Sequence, residues 1–174
     1  VGVYGLCRDI SDRKHQDADL HLLKRGIEAN PNGMLMVDAR SPDMPVVYAN
    51  PAFTEMTGYS YDEVMGSNCR FLQGEDTALE ALETIRQGLH HQTEVNVELI
   101  NYRKDGTPFW NHLRISPVFG NDGLCTHFIG TQQDVTHQRE QEAQITYQAT
   151  HDLLTGLPNG VSFQETLHDA LILD

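Results

Sequence analysis

The stretch Glu94-Val-Asn-Val-Glu-Leu-Ile-Asn-Tyr-Arg-Lys-Asp-Gly-Thr-Pro-Phe-Trp-Asn-His-Leu-Arg-Ile-Ser-Pro-Val118 carries the clearest structural signal in the chain. Apolar and polar residues alternate on both sides of Lys104-Asp-Gly106, and the Asp-Gly pair is typical of a tight hairpin turn. A second turn signal, Asn121-Asp-Gly123, precedes another alternating run. The pattern predicts three consecutive antiparallel strands, at 94–102, 108–118 and 124–134.

Upstream of these strands, short apolar runs alternate with helical segments. Strands are predicted at 34–38 and 46–49, with short helical turns after Asn50-Pro51. Thr77-Ala-Leu-Glu80 has the capping-box pattern, so a helix is expected from Thr77 to about His90. Polar, helix-prone sequence at 17–29 and 136–150 flanks the sheet. The fold class is therefore α+β, with an antiparallel sheet and helices.

Composition excludes several classes of protein. Hydrophobic residues make up 39% of the 174 residues, and no apolar run approaches the length of a membrane span. The formal charge of −13 argues against a nucleic-acid-binding surface, which would be basic. Three widely spaced cysteines form neither a disulfide framework nor a CxxC metal site, which favours a cytoplasmic setting. The adjacent His90 and His91 suit no simple chelating geometry, and no metal site is assigned.

Polar residues fall on the predicted core face of the sheet. Strand alternation places Asn101 with the apolar face of the first strand, Asn111 with that of the second and Gln132 with that of the third. A buried amide without a partner costs about 1–3 kcal/mol. Two interpretations remain open: the amides bond to one another or to buried water, or they surround a ligand edge that alternates donors and acceptors, as the pyrimidine edge of a flavin does.

Two further side chains bear on this choice. In the helix predicted at 77–90, Arg86 shares a stripe with Leu79, Leu82 and Leu89. An inward arginine needs an anion, such as a terminal phosphate, although a long side chain at a rim also reaches water. Cys69 lies beside a basic residue near a helical turn; by itself, a single cysteine is more often a small buried hydrophobe.

The chain resembles the LOV photoreceptor domains, a flavin-binding branch of the PAS fold. The resemblance runs from about Ile27 to Thr136. It rests on the following segments: Asn50-Pro-Ala-Phe-Thr-Glu-Met-Thr-Gly-Tyr59, Asn68-Cys-Arg-Phe-Leu-Gln73, Asn101-Tyr-Arg-Lys-Asp-Gly106, Phe109-Trp-Asn111 and Gly130-Thr-Gln132. The PAS fold implies a five-stranded antiparallel sheet with helices on one face, plus N- and C-terminal flanking helices.

The resemblance also implies roles for individual residues. Cys69 resembles the cysteine that bonds reversibly to flavin atom C(4a) under blue light. Two arginines resemble those that bind the phosphate of FMN, and carboxamides resemble the contacts to its ribityl chain and ring. The implied cofactor-binding set is Asn68, Arg70, Gln73, Arg86, Asn101, Asn111, Phe128 and Gln132. The sequence departs from the common family pattern at Gly33, Val37 and Ser67, and the first two changes are expected to alter water access and the lifetime of the bond.

The resemblance implies a signalling route. Bonding of Cys69 leaves flavin atom N(5) protonated, so that it changes from a hydrogen-bond acceptor to a donor. Gln132 is expected to rotate its amide in response, because the two ends of a carboxamide have opposite hydrogen-bonding character. The strand that carries Gln132 leads directly into the helix from about Thr136. The bond later breaks thermally, so the domain switches and does not turn over substrate.

The flanks resemble other signalling modules. Residues 1–11 resemble 128–136; interpreted as an internal repeat, this predicts a terminal strand and places 1–15 at the end of a preceding PAS domain, and the alternative is chance similarity over nine residues. The expected organisation continues with a linker helix at 16–29, the sensor at 30–136 and a signalling helix at 137–150. Residues 151–174 resemble the truncated start of a GGDEF diguanylate cyclase domain. Implied partners are a second copy through the flanking helices and a cyclic di-GMP output domain (GGDEF, with EAL as a further alternative); neither nucleic acid nor a membrane is expected.

Three other functions are alternatives to the photosensor. A light-insensitive redox- or ligand-sensing PAS module would hold a flavin without using Cys69. An interaction module with an empty core would leave the inward amides unexplained. A cysteine-nucleophile enzyme would need a histidine partner for Cys69, which the sequence does not supply. The fragment is therefore expected not to be an enzyme, whereas the parent protein is expected to make or degrade cyclic di-GMP.

Overall fold

A computed structural model describes residues 3–151 of the chain, with side chains from residue 15 onward. Asp134 ends one compact unit, and Val135 begins a second. The elements are α1 (Val3–Glu28), β1 (Gly33–Asp38), β2 (Val46–Ala49), α2 (Pro51–Thr57), α3 (Tyr61–Val64), a 3₁₀ turn (Cys69–Leu72), α4 (Leu79–His91), β3 (Val95–Tyr102), β4 (Pro108–Phe119), β5 (Cys125–Asp134) and α5 (Thr136–Thr150).

The five strands form one antiparallel sheet in the order β2-β1-β5-β4-β3. The predicted α+β class and the strand positions are confirmed. Both predicted hairpin turns are present, and Gly106 and Gly123 have φ angles of 86° and 77°, which a residue without a Cβ adopts at little cost. The inner face of the sheet carries the main core, including Leu99, Phe109 and Phe128, each at most 2% exposed.

Asn50 fixes the end of β2 and the start of α2. Its Oδ1 accepts hydrogen bonds from the backbone N–H groups of Phe53, at 3.0 Å, and of Met34 in β1, at 2.8 Å. The first bond caps the helix, and Pro51 in the first turn suits a position that needs no N–H donor. One fully buried amide therefore ties the sheet to the helical layer.

The predicted capping box at Thr77 is wrong. Helix α4 begins at Leu79 with Ala78 at its N-cap and without a side-chain cap. The Thr77 hydroxyl instead donates to the Ile100 carbonyl of β3, at 2.7 Å, and accepts from the Gly74 N–H, at 3.0 Å. Because this hydroxyl is used to tie the loop to the sheet, it is not available to the helix.

The predicted N-terminal strand is also wrong. Residues 3–28 form one helix, so α1 includes both the segment expected as a strand and the helix expected from Asp17. A lone strand leaves its backbone donors and acceptors unpaired, whereas a helix satisfies them within the segment. Where side chains are described, α1 is exposed, including its apolar residues Leu20, Leu22 and Leu23.

The second unit contains α5, which has the bounds predicted for it. None of the side chains of α5 is buried. The expected GGDEF segment lies outside the described residues except for His151. Within residues 3–151, no helix is long and apolar enough to cross a bilayer.

Candidate functional site

A cavity of about 630 Å³ lies between the inner face of the sheet and the segment that runs from the 3₁₀ turn through α4. Its floor comes from β1, β3, β4 and β5, and its opposite wall comes from the 3₁₀ turn and α4. All nine residues that the sequence singled out line this one cavity: Asn68, Cys69, Arg70, Gln73, Arg86, Asn101, Asn111, Phe128 and Gln132. The predicted alternation of the three strands is confirmed, because Asn101, Asn111 and Gln132 are at most 3% exposed.

The three buried amides form a connected cluster across neighbouring strands. The Asn111 amide nitrogen donates to Asn101 Oδ1, at 2.8 Å, and to Gln132 Oε1, at 3.3 Å. The Asn101 amide nitrogen donates to the Ile100 carbonyl, at 3.2 Å. Mutual hydrogen bonding, one of the two interpretations open at the sequence level, therefore accounts for part of the polar surface.

One atom of the cluster remains unsatisfied. Asn111 Oδ1 is buried and accepts no hydrogen bond from the protein. Leaving such an acceptor unpaired costs about 1–3 kcal/mol, so the cavity favours a ligand that brings an N–H donor to it. The pyrimidine edge of a flavin presents one N–H between two carbonyls, and an amide cluster with both donors and acceptors matches that edge. The residues present therefore fit a flavin.

Cys69 opens the 3₁₀ turn on the wall opposite the amides. Asn68 caps this turn, because its Oδ1 accepts from the Arg70 N–H at 3.0 Å. The Asn68 amide nitrogen also donates to the Asp43 carbonyl, which ties the turn to the loop between β1 and β2. Burial raises the pKa of the Cys69 thiol to about 11, so the side chain enters any chemistry at neutral pH as a thiol with its proton. The thiol is free and faces the cavity.

Arg70 and Arg86 line the cavity on its open side. The apolar stripe predicted around Arg86 is wrong at Leu79, which is 79% exposed because it lies in the first turn of α4, before the helix packs on the sheet. Arg86 itself is largely exposed, and its guanidinium lies 3.1 Å from Glu83. The long side chain thus reaches water at the rim while its stem lines the cavity, which was the second interpretation of an arginine at this position.

The family model of the PAS domain matches residues 31–137. The LOV domain of a blue-light-activated histidine kinase from Erythrobacter litoralis superposes with a TM-score of 0.59 and 42% identity, and this chain covers 98% of it. This chain belongs to the LOV branch of the PAS domain family. A larger solved structure, an RNA-binding Light-Oxygen-Voltage receptor, is 40% identical with a TM-score of 0.67; the match covers 74% of this chain and 36% of the receptor.

The curated relatives of this LOV domain are longer proteins. A blue-light-activated histidine kinase from Rhizobium johnstonii is 50% identical over 110 residues, which are 63% of this chain and 32% of the kinase. The chain therefore spans about a third of the length of that relative. The relatives are described as histidine kinases, so they do not support the cyclic di-GMP output expected from residues 151–174. The LOV domain itself is a sensor domain.

Sequence reasoning missed part of the cavity of the LOV domain. Pro42 and Met44, in the loop between β1 and β2, line it, as do Ile85 and His90 of α4. Helical spacing could have identified Ile85 as a lining residue, because it lies three residues after Leu82 and so shares the same face of α4. Of the three departures from the family pattern, Val37 lines the cavity, whereas Gly33 and Ser67 do not. A Cβ on Gly33 would approach the Met56 methyl to 2.9 Å, so close packing against α2 accounts for the glycine.

Proposed function

We propose that this LOV domain is a blue-light photoreceptor that holds FMN in the cavity and bonds Cys69 to it reversibly. The observation that carries the proposal is the arrangement of a neutral, free thiol opposite a buried amide cluster that still lacks one donor. The named relatives and solved structures support the same input signal, since they are described as blue-light-activated kinases and light receptors.

The flavin supplies blue-light absorption and an electrophilic ring carbon. Cys69 supplies the sulfur that bonds to that carbon, C(4a), together with the proton that ends on the neighbouring N(5). A neutral thiol suits this task because the sulfur and the proton come from the same side chain. Thermal reversal returns the proton to Cys69, which makes the reaction a switch.

The remaining residues hold and orient the cofactor. Asn101, Asn111 and Gln132 would contact the ring edge, and the unsatisfied Asn111 Oδ1 would accept its N–H. Gln73, which lines the cavity, would contact the ribityl chain, and Phe128 would pack against the ring. Arg70 and Arg86 favour a terminal phosphate at the mouth, and hence FMN over riboflavin. Asn68 keeps Cys69 in place by capping its turn.

Gln132 carries the signal. Its amide accepts from Asn111 and lies two residues before the end of β5, which α5 follows in sequence. With a flavin bound and the Cys69 proton on N(5), Gln132 would meet a donor in place of an acceptor and would exchange the two ends of its amide. The change in hydrogen bonding acts on the last residues of β5 and so on the start of α5.

The output is proposed to lie in the same polypeptide. Residues 149–159 resemble the start of a GGDEF domain and favour cyclic di-GMP synthesis, whereas the curated relatives are histidine kinases. Assays of the intact protein in the dark and in blue light separate the two. Light-dependent conversion of GTP to cyclic di-GMP supports the first; light-dependent autophosphorylation from ATP overturns it.

A cytoplasmic homodimer completes the proposal. Cys69 and Cys125 are both free, as in a reducing compartment. The apolar residues of α1, Leu20 and Leu23, are about 65% exposed and offer a surface for a second helix. Light scattering of the purified fragment tests the dimer; a monomeric mass at micromolar concentration would overturn it.

The test of the photoreceptor is an absorption spectrum before and after blue light. The wild type is expected to show the blue absorption band of oxidised flavin, to bleach in light and to recover in the dark. Cys69→Ala is expected to keep the band and lose the reversible bleaching, and Cys125→Ala is the matched control. A wild-type flavin band that does not bleach would support the alternative, a light-insensitive flavin-binding module. Absence of any band, even with added FMN, would refute both.

A further inference from the structure

The charge around the cavity differs from that of the chain as a whole. The chain carries 25 acidic and 12 basic residues. Among the described residues that line the cavity there is no Asp or Glu, while there are two arginines, Arg70 and Arg86, and one histidine, His90. Two of the twelve Lys and Arg residues and one of the nine histidines thus line a site to which no described acidic side chain contributes, which is an arrangement that suits an anion.

His90 belongs to this group by its position in α4. It lies four residues after Arg86, and residues at this spacing share one face of a helix, with their Cβ atoms about 6 Å apart. The neighbouring His91 does not line the cavity; its ring bonds to the Gln87 carbonyl, at 2.9 Å. His90 lies in the last turn of α4, where the helix dipole places partial negative charge that disfavours a phosphate. A positively charged side chain at this position would offset that unfavourable interaction.

The surroundings of His90 contain few competing groups. On α4 itself, Glu83 pairs with Arg86, and the His91 ring lies edge-on to that of His90 with centroids 4.9 Å apart. The strand packed against α4 is β3, which presents Leu99 and Asn101 to the cavity. The titratable or charged groups on the facing elements are Cys69 and Arg70 on the 3₁₀ turn, Asp43 in the β1–β2 loop, and Glu98 and Tyr102 on β3. Of these, Cys69 and Arg70 line the cavity, and the raised pKa of Cys69 keeps its thiol neutral.

We propose that His90 is a third contact for the flavin phosphate and that its protonation makes the affinity of the site for FMN depend on pH. This inference rests on the proposed function. Histidine is the side chain that ordinarily changes charge between pH 5 and 8. In its protonated form it adds a charge-assisted hydrogen bond at an exposed site, which corresponds to about a threefold gain in affinity. In its neutral form that gain is lost.

Binding titrations with two flavins test the proposal. The dissociation constants of FMN and of riboflavin, which lacks the phosphate, are measured by fluorescence at pH 6 and pH 8. The proteins are the wild type, His90→Gln, His90→Arg and the matched control His91→Gln. The FMN phosphate itself ionises near pH 6, but that effect is common to all four proteins, so comparison with the wild type isolates His90.

At pH 6, His90→Gln is expected to weaken FMN binding about threefold, with little change at pH 8 and none for riboflavin. His90→Arg is expected to bind FMN at pH 8 about threefold more tightly than the wild type, and His91→Gln to match the wild type. Equal FMN affinities of wild type and His90→Gln at both pH values would overturn the inference, and so would an equal loss for riboflavin. A wild type that binds neither flavin would instead refute the proposed function.

Discussion

Gly88 is where α4 touches the sheet, and its replacement by alanine sets two effects of opposite sign against each other. In a helix interior, Gly→Ala ordinarily stabilises a protein by about 1 kcal/mol, because it restricts the unfolded backbone. Here a Cβ on Gly88 would lie 2.0 Å from Val95 Cγ2. Val95 is 4% exposed, and its β-branched side chain has little freedom to turn away.

The destabilisation from the steric contact with Val95 is expected to exceed the stabilisation that alanine gives through its higher helix propensity. Overpacking a core costs about 1–3 kcal/mol, and a separation so far below van der Waals contact places this site near the upper end. Subtracting the propensity gain leaves a net loss of about 2 kcal/mol for Gly88→Ala. The shift of α4 away from β3 should also displace Arg86 and weaken FMN binding.

Urea unfolding of the flavin-free protein, followed by the fluorescence of Trp110, measures the free energy without the stabilisation that a bound ligand adds. In a Val95→Ala background the same Gly88→Ala change should cost nothing or stabilise, because the methyl that it meets is gone. Gly26→Ala in α1 is the matched control, since nothing lies within 4 Å of its Cβ. A Gly88→Ala protein as stable as the wild type, or more stable, would refute the packing argument.

Three further predictions concern the cavity and the surface. Asn111→Ala should weaken FMN and riboflavin binding equally, by about tenfold, because it removes the acceptor for the ring N–H and not a phosphate contact; fluorescence titration measures both. At pH 8 only about one Cys69 in a thousand should be thiolate, given a pKa of about 11, so its alkylation by iodoacetamide should rise about tenfold per pH unit up to that value, and a plateau near pH 8 would contradict the burial argument. Hydrogen bonds from Lys104 and from Ser60 lower the pKa of Glu63 to about 2, so its contribution to stability should be complete above pH 4.5 and be lost as the pH falls towards 2; a carbon NMR titration of Glu63 should have its midpoint near pH 2 in the wild type and a higher one in Lys104→Met.

Strand alternation and turn motifs, which depend only on residues close in sequence, were enough to predict the strands of the sheet and the faces of their side chains. Strand alternation alone placed Asn101, Asn111 and Gln132 on the inner face, since the side-chain period of a strand leaves no other choice once its apolar residues are buried. The two Asp-Gly turns fixed the order of β3, β4 and β5 in the same way. Where the physics is local and periodic, the sequence predicts the structure.

The errors arose where a residue had a more distant partner. Thr77 has a capping pattern, yet its hydroxyl bonds to Ile100, 23 residues away. No sequence signal distinguishes His90 from His91, whereas in the folded structure only His90 of the two lines the cavity. The N-terminal strand was inferred from similarity to β5, but strand formation also needs a neighbouring strand, and residues 3–28 form a helix instead.

In the proposed mechanism, the position of Gln132 in the sheet determines where its rotation acts. Strand β5 is paired on both sides, with β1 through the Gly33–Gln132 pair and with β4 through the Asn111–Asp134 pair. Gln132 is therefore the last residue of β5 that both neighbours hold, and the two residues after it are held by β4 alone. Asp134 is secured further by the Arg103 guanidinium, which stacks over the Phe109 ring at 4.6 Å. A change of hydrogen bonding at Gln132 thus meets two paired strands on the side of Gly130, and one paired strand together with the Arg103–Asp134 ion pair on the side of Asp134. In the proposed mechanism, a displacement that reaches the following helix therefore has to move Asp134 against this ion pair.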